Sequence, residues 1–287
     1  MSNKNITLYH ANWSLCSQMV RVAFHEKGIP FISKHIKLCD QYPEGQNLDK
    51  NFLSLNPMGT VPVTKHNESV ICGSENIVKY IDSLKSEKNI NLYPSKKSDD
   101  FSKWVADTTI TEGVNFASTI GTVLPVFSAP LIQLMVKKLP LKSILKILLR
   151  HPIKERKIVF FSMYFTSAAQ KFPNIGIKKF IEELIKIEKE LNKENKYFNE
   201  HFTHIDINMM CLFHRLKDLK LEEILKTSRT PLISKYWKNL QNRESYQKSI
   251  LDYYTSKENK ILQEFYLVRS PKLLEKLKDQ LYSFPHE

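Results

Sequence analysis

The sequence predicts an α/β domain followed by an all-α domain, and two observations lead to this prediction. Residues 6–85 alternate short apolar runs of strand character with amphipathic helical segments. From about residue 98 onward the apolar residues recur at helical spacing, and few strand signals remain. The polar, proline-containing stretch 91–100 between the two patterns is typical of a linker. We therefore predict an N-terminal domain over 1–90 and a helical C-terminal domain over 98–287.

The N-terminal elements follow one another in a specific order. The run "ITLYHA" (6–11) predicts a strand, and "CSQMVRVAFHEKG" (16–28) predicts a helix with one apolar face. The run "PFISKHIKL" (30–38) alternates like a second strand, parallel to the first. Within 56–84 the sequence indicates a turn, two strands joined by a hairpin turn, and a helix that begins at Ser74. With a helical segment in the polar loop between, the order is β-α-β-α-β-β-α, which is that of the thioredoxin fold.

Size, charge and cysteine content narrow the class of protein. The chain has 287 residues, 42% of them hydrophobic, which is typical of a soluble globular protein, and a net charge of +13. Its four cysteines show neither a CxxC pair nor zinc-ligand spacing, so we expect no metal site, no disulfide framework and a cytoplasmic location. We recognise no zinc-finger or RNA-binding motif in the sequence, so we do not expect nucleic acid as a partner. The sequence shows no signal peptide and no apolar run long enough to span a bilayer.

The stretch "LNPMGTVPV" (55–63) carries the most specific motif in the chain. It is similar to the N-P-x-G-x-V-P segment of the glutathione S-transferase family, whose members join a thioredoxin-like domain to a helical one. The resemblance implies a cis peptide bond between Val61 and Pro62. It also implies that the backbone of Val61 pairs with the cysteinyl part of glutathione, the co-substrate of the family.

A second motif, "CGSENIVKYI" (72–81), resembles the family's E-S-x-x-I-x-x-Y-L segment. The resemblance implies that Ser74 and the following helix N-terminus bind the γ-glutamyl carboxylate of glutathione, since helix N-termini attract anions. The alternative is that Ser74 is only the N-cap of its helix. Gly73 stands where the family has an acidic residue, which puts the contact to the γ-glutamyl amino group in doubt, and Glu75 is a conceivable substitute.

A third motif extends the resemblance into the C-terminal half, so that it covers roughly residues 6–255. Thr203 and Asp206 have the spacing of a capping box before an apolar helix. The same box recurs in the helical domain of the family. Its role is in folding and not in catalysis.

The turn "NWSLCS" (12–17) after the first strand holds the candidate catalytic residues, Ser14 and Cys16. Cys16 lies at the start of the first helix, where the helix dipole lowers the pKa of a thiol. The Ser-x-Cys-Ser pattern resembles the cysteine-type, tetrachlorohydroquinone dehalogenase-like branch of the family. Alternatively, Cys16 is a packed residue of the interior.

The resemblance implies one of two glutathione-dependent reactions at this turn. If Ser14 donates a hydrogen bond to the glutathione sulfur, the glutathione thiolate attacks a small hydrophobic electrophile. If Cys16 is the reacting group, its thiolate attacks the sulfur of a glutathione conjugate or mixed disulfide, giving thiol transfer or reductive dehalogenation. We favour Cys16. A non-catalytic module that has kept the fold and lost the chemistry is the alternative from another functional class.

The segment 122–157 is longer than the usual connection in the family and is both apolar and basic. Four prolines divide it into pieces that we expect to be too short to cross a membrane. Its central part pairs a leucine and isoleucine face with five basic residues: Lys142, Lys146, Arg150, Lys154 and Arg156. Such a helix can lie on an anionic membrane surface; alternatively, the segment covers the substrate pocket or a dimer surface. The resemblance also implies a homodimer.

Overall fold

The chain folds into two compact units, which alternate along the sequence. The first unit comprises Met1–Ile90 and Ala129–Lys171, and the second comprises Asn91–Ser128 and Phe172–Glu287. The sequence assigns everything after residue 98 to one helical domain, whereas here 129–171 belong to the first unit. The computed structural model describes the following residues: 5–86, 88, 90–94, 98–110 and 115–285.

The first unit is built on a mixed four-stranded sheet in the order β2-β1-β3-β4. Its strands are β1 (Ile6–His10), β2 (Ile32–His35), β3 (Val63–His66) and β4 (Ser69–Cys72). β1 runs parallel to β2 and antiparallel to β3, and β3 and β4 form a hairpin around Asn67, whose φ is 55°. The predicted strands and the parallel pairing of the first two are confirmed.

Three helices complete the thioredoxin-like part of this unit: α1 (Leu15–Lys27), α2 (Lys50–Leu53) and α3 (Ser74–Ser83). α1 and α3 pack against each other. Met19, Val20, Ala23 and Phe24, the predicted apolar face of α1, are each 0% exposed. α1 ends at Gly28, which adopts the left-handed conformation with φ of 64° as a helix C-cap. The predicted β-α-β-α-β-β-α order is confirmed.

The remaining described elements are helical. The helices are α4 (Asp99–Thr108), α5 (Ile120–Phe127), α6 (Ala129–Lys137), α7 (Leu141–Arg150), α8 (Lys154–Phe165), α9 (Pro173–Glu190), α10 (His204–Asp218), α11 (Pro231–Gln241), α12 (Glu244–Ser249), α13 (Ser256–Val268) and α14 (Lys272–Ser283). The helical spacing in the sequence predicts several helices, the first over 100–120 and the last ending at residue 254. The last two observed helices, α13 and α14, lie beyond that residue. The middle of the 100–120 helix, residues 111–114, lies outside the described residues.

α10 is the central helix of the second unit, and every one of its residues except Lys217 is buried. Its N-terminus is fixed by Asp206, whose carboxylate accepts hydrogen bonds from the Thr203 amide at 2.7 Å and the Phe198 amide at 2.8 Å. The hydroxyl of Tyr236 donates to the same carboxylate at 2.7 Å. The predicted capping box is confirmed, and it is part of a larger buried polar cluster.

Helices α6, α7 and α8 belong to the first unit and attach to it through the connection between β2 and α2. Lys146 on α7 forms an ion pair with Asp49 at 3.0 Å and donates to the carbonyl of Gly45 at 3.2 Å. The hydroxyl of Ser143 donates to the carbonyl of Pro43 at 3.1 Å. Through these contacts α7 packs against the connection between β2 and α2. Because Lys146 is paired within the unit, it is not one of the basic residues that face the solvent.

The stretch Ile120–Lys137, which contains α5 and α6, is long and apolar enough to span a membrane by length and composition. The expectation that prolines cut this part into shorter pieces is wrong, since Pro125 lies inside α5 and Pro130 in the first turn of α6. Only a turn at Ser128 separates the two helices. Because 72% of the stretch is buried within the protein, its apolar side chains serve the packing of the fold.

Candidate active site

Three segments singled out by the sequence meet at one edge of the sheet. Tyr9, near the carboxyl end of β1, pairs with Val63 at the start of β3, and Val63 pairs with Cys72 at the end of β4. The turn that carries Cys16 leaves this edge from β1, and α3 begins at this edge with Ser74. The fold therefore brings the predicted catalytic turn, the Val–Pro turn and the predicted carboxylate site to the same end of three neighbouring strands.

The turn between β1 and α1 positions both candidate catalytic residues. Ser14 is the N-cap of α1, and its hydroxyl oxygen accepts a hydrogen bond from the Ser17 amide at 3.3 Å. This bond uses a lone pair of the hydroxyl, so its proton remains available for donation to a ligand. Cys16 is the second residue of α1 and is half-buried. Its thiol therefore lies in the first helical turn, where the partial positive charge of the helix favours the thiolate.

A buried arginine holds this turn in place. Arg21 is 0% exposed and donates from Nη1 to the carbonyl of Ala11 at 3.2 Å and from Nη2 to the carbonyl of Asn12 at 3.0 Å. Nη1 also contacts Nδ1 of His10 at 3.1 Å. Its hydrogen-bond partners thus include two backbone carbonyls and an imidazole. Nothing in its position along α1 distinguishes it from a surface arginine.

His10 is the second member of this buried cluster. Since an arginine only donates, Nδ1 of His10 is the acceptor, and Nε2 carries the proton toward the Ser33 hydroxyl at 2.7 Å. Burial first, and then the charge of Arg21, lower the pKa of His10 to about 3. His10 is therefore a neutral structural residue, in agreement with the preferred interpretation of the sequence.

The Val61–Pro62 peptide bond is cis, as the resemblance implies. Two asparagines support the turn that precedes it. Asn56 donates to the carbonyl of Thr60 at 2.8 Å, and Asn47 donates to the carbonyl of Gly59 at 2.9 Å. Asn56 belongs to the quoted motif, whereas the role of Asn47 depends on a contact between distant parts of the chain and has no signal in the local sequence.

The N-terminus of α3 differs in detail from the prediction. Gly73 and not Ser74 is the N-cap, and Ser74 is the first helical residue, 5% exposed. Gly73 has a φ of 83°, a backbone conformation that disfavours side chains with a Cβ. Glu75 forms an ion pair with Lys79 at 2.5 Å along the helix surface, so the structure gives no support to Glu75 as the substitute.

The other cysteines occupy three different environments. The position of Cys39 beside Asp40 leaves exposure possible in the sequence, but Cys39 is 3% exposed, and burial raises the pKa of its thiol to about 12. The apolar surroundings of Cys72 and Cys211 in the sequence predict core positions. Cys211 is fully buried in α10, as predicted. Cys72 is half-buried, and its thiol lies 3.7 Å from the carbonyl of Leu55. Cys72 is therefore the second cysteine at the candidate site, and its position just before Gly73 is the signal that could have identified it.

Comparison with known proteins points to one family. Residues 13–84 match the model of the glutathione S-transferase N-terminal domain. The chain is 38% identical to glutathione S-transferase 1 of Dianthus caryophyllus over 28% of this chain and 34% of that protein. It is 24% identical to glutathione S-transferase TCHQD of Arabidopsis thaliana over 86% of this chain and 90% of that protein.

The fold is also that of a solved enzyme structure. The β-etherase LigF from Sphingobium sp. strain SYK-6 superposes with a TM-score of 0.68 at 15% identity, over 86% of this chain and 99% of that one. At this level of identity the likeness concerns the fold alone. The match to Dianthus caryophyllus spans about a third of that relative's length, whereas the match to Arabidopsis thaliana extends through both units.

Proposed function

We propose that the chain, whose residues 13–84 match the N-terminal domain of glutathione S-transferases, is a glutathione-dependent transferase that reacts through the Cys16 thiolate. The observation that carries this proposal is the position of Cys16 in the first turn of α1. This turn leaves the same sheet edge as the Val61–Pro62 turn and Ser74. A half-buried thiol at a helix N-terminus is the environment in which cysteines become reactive.

Glutathione binding is assigned to backbone and hydroxyl groups at this edge. In this proposal the backbone of Val61, ahead of the buried Pro62, pairs with the cysteinyl part of glutathione, and the cis Val61–Pro62 bond supports this role. Ser74 and the first amides of α3 bind the γ-glutamyl carboxylate in this proposal, since the first amides of a helix have no partner within the helix. Gly73 offers no carboxylate for the γ-glutamyl amino group, so this contact is missing from the proposed site.

The reaction proceeds by exchange at sulfur. The Cys16 thiolate attacks the sulfur of a glutathione mixed disulfide, an S–S bond to Cys16 forms, and the displaced thiolate leaves with the electron pair. With a glutathione conjugate of a small hydrophobic electrophile, the carbon fragment leaves with the pair and takes up a proton. A glutathione thiolate then attacks the Cys16 disulfide, releasing oxidised glutathione and restoring the Cys16 thiolate.

Conjugation through Ser14 is the second candidate function. Its support is the hydroxyl of Ser14, which accepts from Ser17 and keeps its proton for a ligand. In that case Ser14 donates to the sulfur of glutathione and stabilises its thiolate, which attacks the electrophilic carbon. Cys16 then takes no part in the reaction.

Single substitutions at the two positions separate these functions. If Cys16 is the reacting group, Cys16→Ser abolishes thiol transfer and the mixed disulfide detected by mass spectrometry after incubation with oxidised glutathione, while glutathione still binds. If Ser14 is the reacting group, Ser14→Ala abolishes conjugation and Cys16→Ser does not. Binding of glutathione with neither activity identifies a module that has lost its chemistry.

The proposal extends to assembly and location. We expect a homodimer by analogy with the family, and a cytoplasmic location because the spacing of the four cysteines is not that of a disulfide framework. Light scattering at micromolar concentration reports the oligomeric state, and a monomer contradicts this part of the proposal.

A further inference from the structure

Helices α7 and α8 expose an apolar face in addition to the one that they bury. Its side chains are 45–81% exposed. On α7 they are spaced by four residues, and on α8 by three and four, so each set lies along one side of its helix. We call this set the outer face: Leu141, Leu145, Leu149, Ile158, Phe161 and Phe165.

The outer face is distinct from the surface by which α7 packs on the first unit. Ile144 and Ile147 are each 1% exposed and face the interior, whereas Leu149 is 81% exposed on the opposite side of the helix. One apolar side is sufficient to hold a surface helix on a core. The outer face is therefore not needed for the packing of this unit, and groups of exposed apolar side chains of this kind mark interaction sites.

The segment that carries the outer face has almost entirely positive charges of its own. Residues 129–171 contain nine lysines and arginines and a single acidic residue, Glu155, a net charge of +8 out of +13 for the chain. On α7 the exposed Lys142 and Arg150 follow the leucine side directly around the helix. Lys146 is the exception, because it pairs with Asp49 of the same unit.

We propose that the outer face docks the protein on an anionic lipid membrane, with the apolar side chains in the headgroup region and the cations against lipid phosphates. Apolar side chains beside Lys and Arg are the pattern of helices that lie in the membrane surface. A second copy of the same face fits poorly, since a symmetric interface would bring two surfaces of like charge together. The 10 residues of α7 and 12 of α8 are too few to span a bilayer, so the helices lie along the surface.

The proposed docking surface differs in its bounds from the membrane contact that the sequence predicts for 122–157. Its first part, through Lys137, lies in the mostly buried Ile120–Lys137 stretch, and the docking surface extends instead to Phe165. The proposal is independent of the glutathione chemistry, because it involves none of the residues at the candidate active site.

Vesicle sedimentation tests the proposal with the full-length protein. We expect at least about tenfold stronger partitioning onto vesicles of phosphatidylcholine with phosphatidylserine than onto phosphatidylcholine alone, since each cation near an anionic surface contributes about fivefold. The double variant Leu145→Gln with Leu149→Gln should lose about tenfold or more of this binding, because two exposed leucines no longer enter the lipid. Lys142→Glu with Arg150→Glu should lose binding to the anionic vesicles and its dependence on salt.

The matched control is Leu267→Gln with Val268→Gln, which changes two exposed apolar residues at the end of α13. This variant should bind vesicles like the wild type, and equal urea midpoints show that all variants are folded. Equal partitioning onto neutral and anionic vesicles, no partitioning, or full binding by the leucine variant overturns the proposal. A concentration-dependent dimer that the leucine variant abolishes, without vesicle binding, assigns the face to a second copy.

Discussion

Arg21 donates from Nη2 to the carbonyl oxygen of Asn12 at 3.0 Å, and this bond fixes the first part of the turn that carries Ser14 and Cys16. The guanidinium is fully buried and reaches the Ala11 carbonyl and His10 as well. A fully buried residue outside the turn therefore determines where Ser14 and Cys16 lie.

Replacing Arg21 tests this positioning role. In Arg21→Met the carbonyls of Ala11 and Asn12 lose their charged donor in a buried place, which costs about 3 kcal/mol in the free energy of unfolding. We expect kcat to fall more than glutathione affinity, because Val61 and Ser74 are unaffected. Urea denaturation and steady-state kinetics measure the two effects. The control is Arg150→Met on the surface of α7, whose free energy of unfolding should lie within about 0.5 kcal/mol of the wild-type value. An Arg21→Met enzyme with unchanged stability contradicts the role.

Ser74 is expected to contribute to glutathione affinity through its hydroxyl. Ser74→Ala should weaken binding by about 1–3 kcal/mol, because a charged carboxylate loses a hydrogen-bond donor. Isothermal calorimetry measures the change. Ser69→Ala, at an exposed position on the neighbouring strand, should leave the affinity as it is. Equal affinities of the two variants would mean that the carboxylate binds elsewhere.

The four cysteines should differ in their rates of alkylation. At pH 7 we expect Cys16 to react first with iodoacetamide, because its helix N-terminus favours the thiolate. Cys39 should react slowest or not at all in the native protein, since burial raises the pKa of its thiol to about 12. Peptide mass spectrometry over time gives the order, and S-methylglutathione should protect Cys16. Faster modification of Cys72 than of Cys16 would indicate that Cys72, at the end of β4, is the more reactive thiol of the site.

Three buried histidines make the protein sensitive to acid. Burial lowers the pKa of His10 to about 3 and those of His151 and His214 to about 4, against 6.5 ordinarily. Below about pH 6.5 the unfolded chain therefore binds protons that the native protein does not, so the free energy of unfolding falls as pH falls toward 4. Between pH 7.5 and 5 the loss is about 2 kcal/mol for each histidine.

Comparison of urea denaturation at pH 7.5 and 5 checks this expectation. Burial raises the pKa of the Asp206 carboxyl, and such a group acts in the opposite direction on acidification. The variant His214→Gln isolates the histidine contribution, since it should reduce the difference between the two pH values by about 2 kcal/mol. A difference identical to that of the wild type would exclude His214 as a source.

The features that follow from local sequence were predictable, whereas those that depend on distant contacts were not. Strand alternation gives the order of the sheet elements, and the Thr203–Asp206 spacing gives the capping box. By contrast, Lys146 and Asp49 are 97 positions apart, so their ion pair is not visible in the local sequence. The spacing along α7 suggests only that Lys146 faces the solvent. The same limit explains why the sequence groups 129–171 with the helices that follow, whereas their contacts group them with the first unit.

Within the candidate site, the sequence identified the segments better than the roles of single residues. Cys39 stands beside the charged Asp40, which suggests exposure, yet its amide donates to the buried Asn47 and its thiol is enclosed. In the sequence, Gly73 indicates only that an acidic residue of the family is absent. The positive φ of Gly73, which favours glycine, becomes visible only in the structure.

The alternation of the two units along the chain has a consequence for the order in which the protein is made. The first unit receives its last helix, α8, only after residue 165 has been synthesised, and by then all of Asn91–Ser128 has already left the ribosome. The helices of this stretch, α4 and α5, however, pack with α9 and α10, which come later, so they lack these partners while the first unit closes. A nascent chain of about 170 residues therefore presents the apolar surface of α5 to the cell, and this is the stage at which a chaperone has a surface to bind.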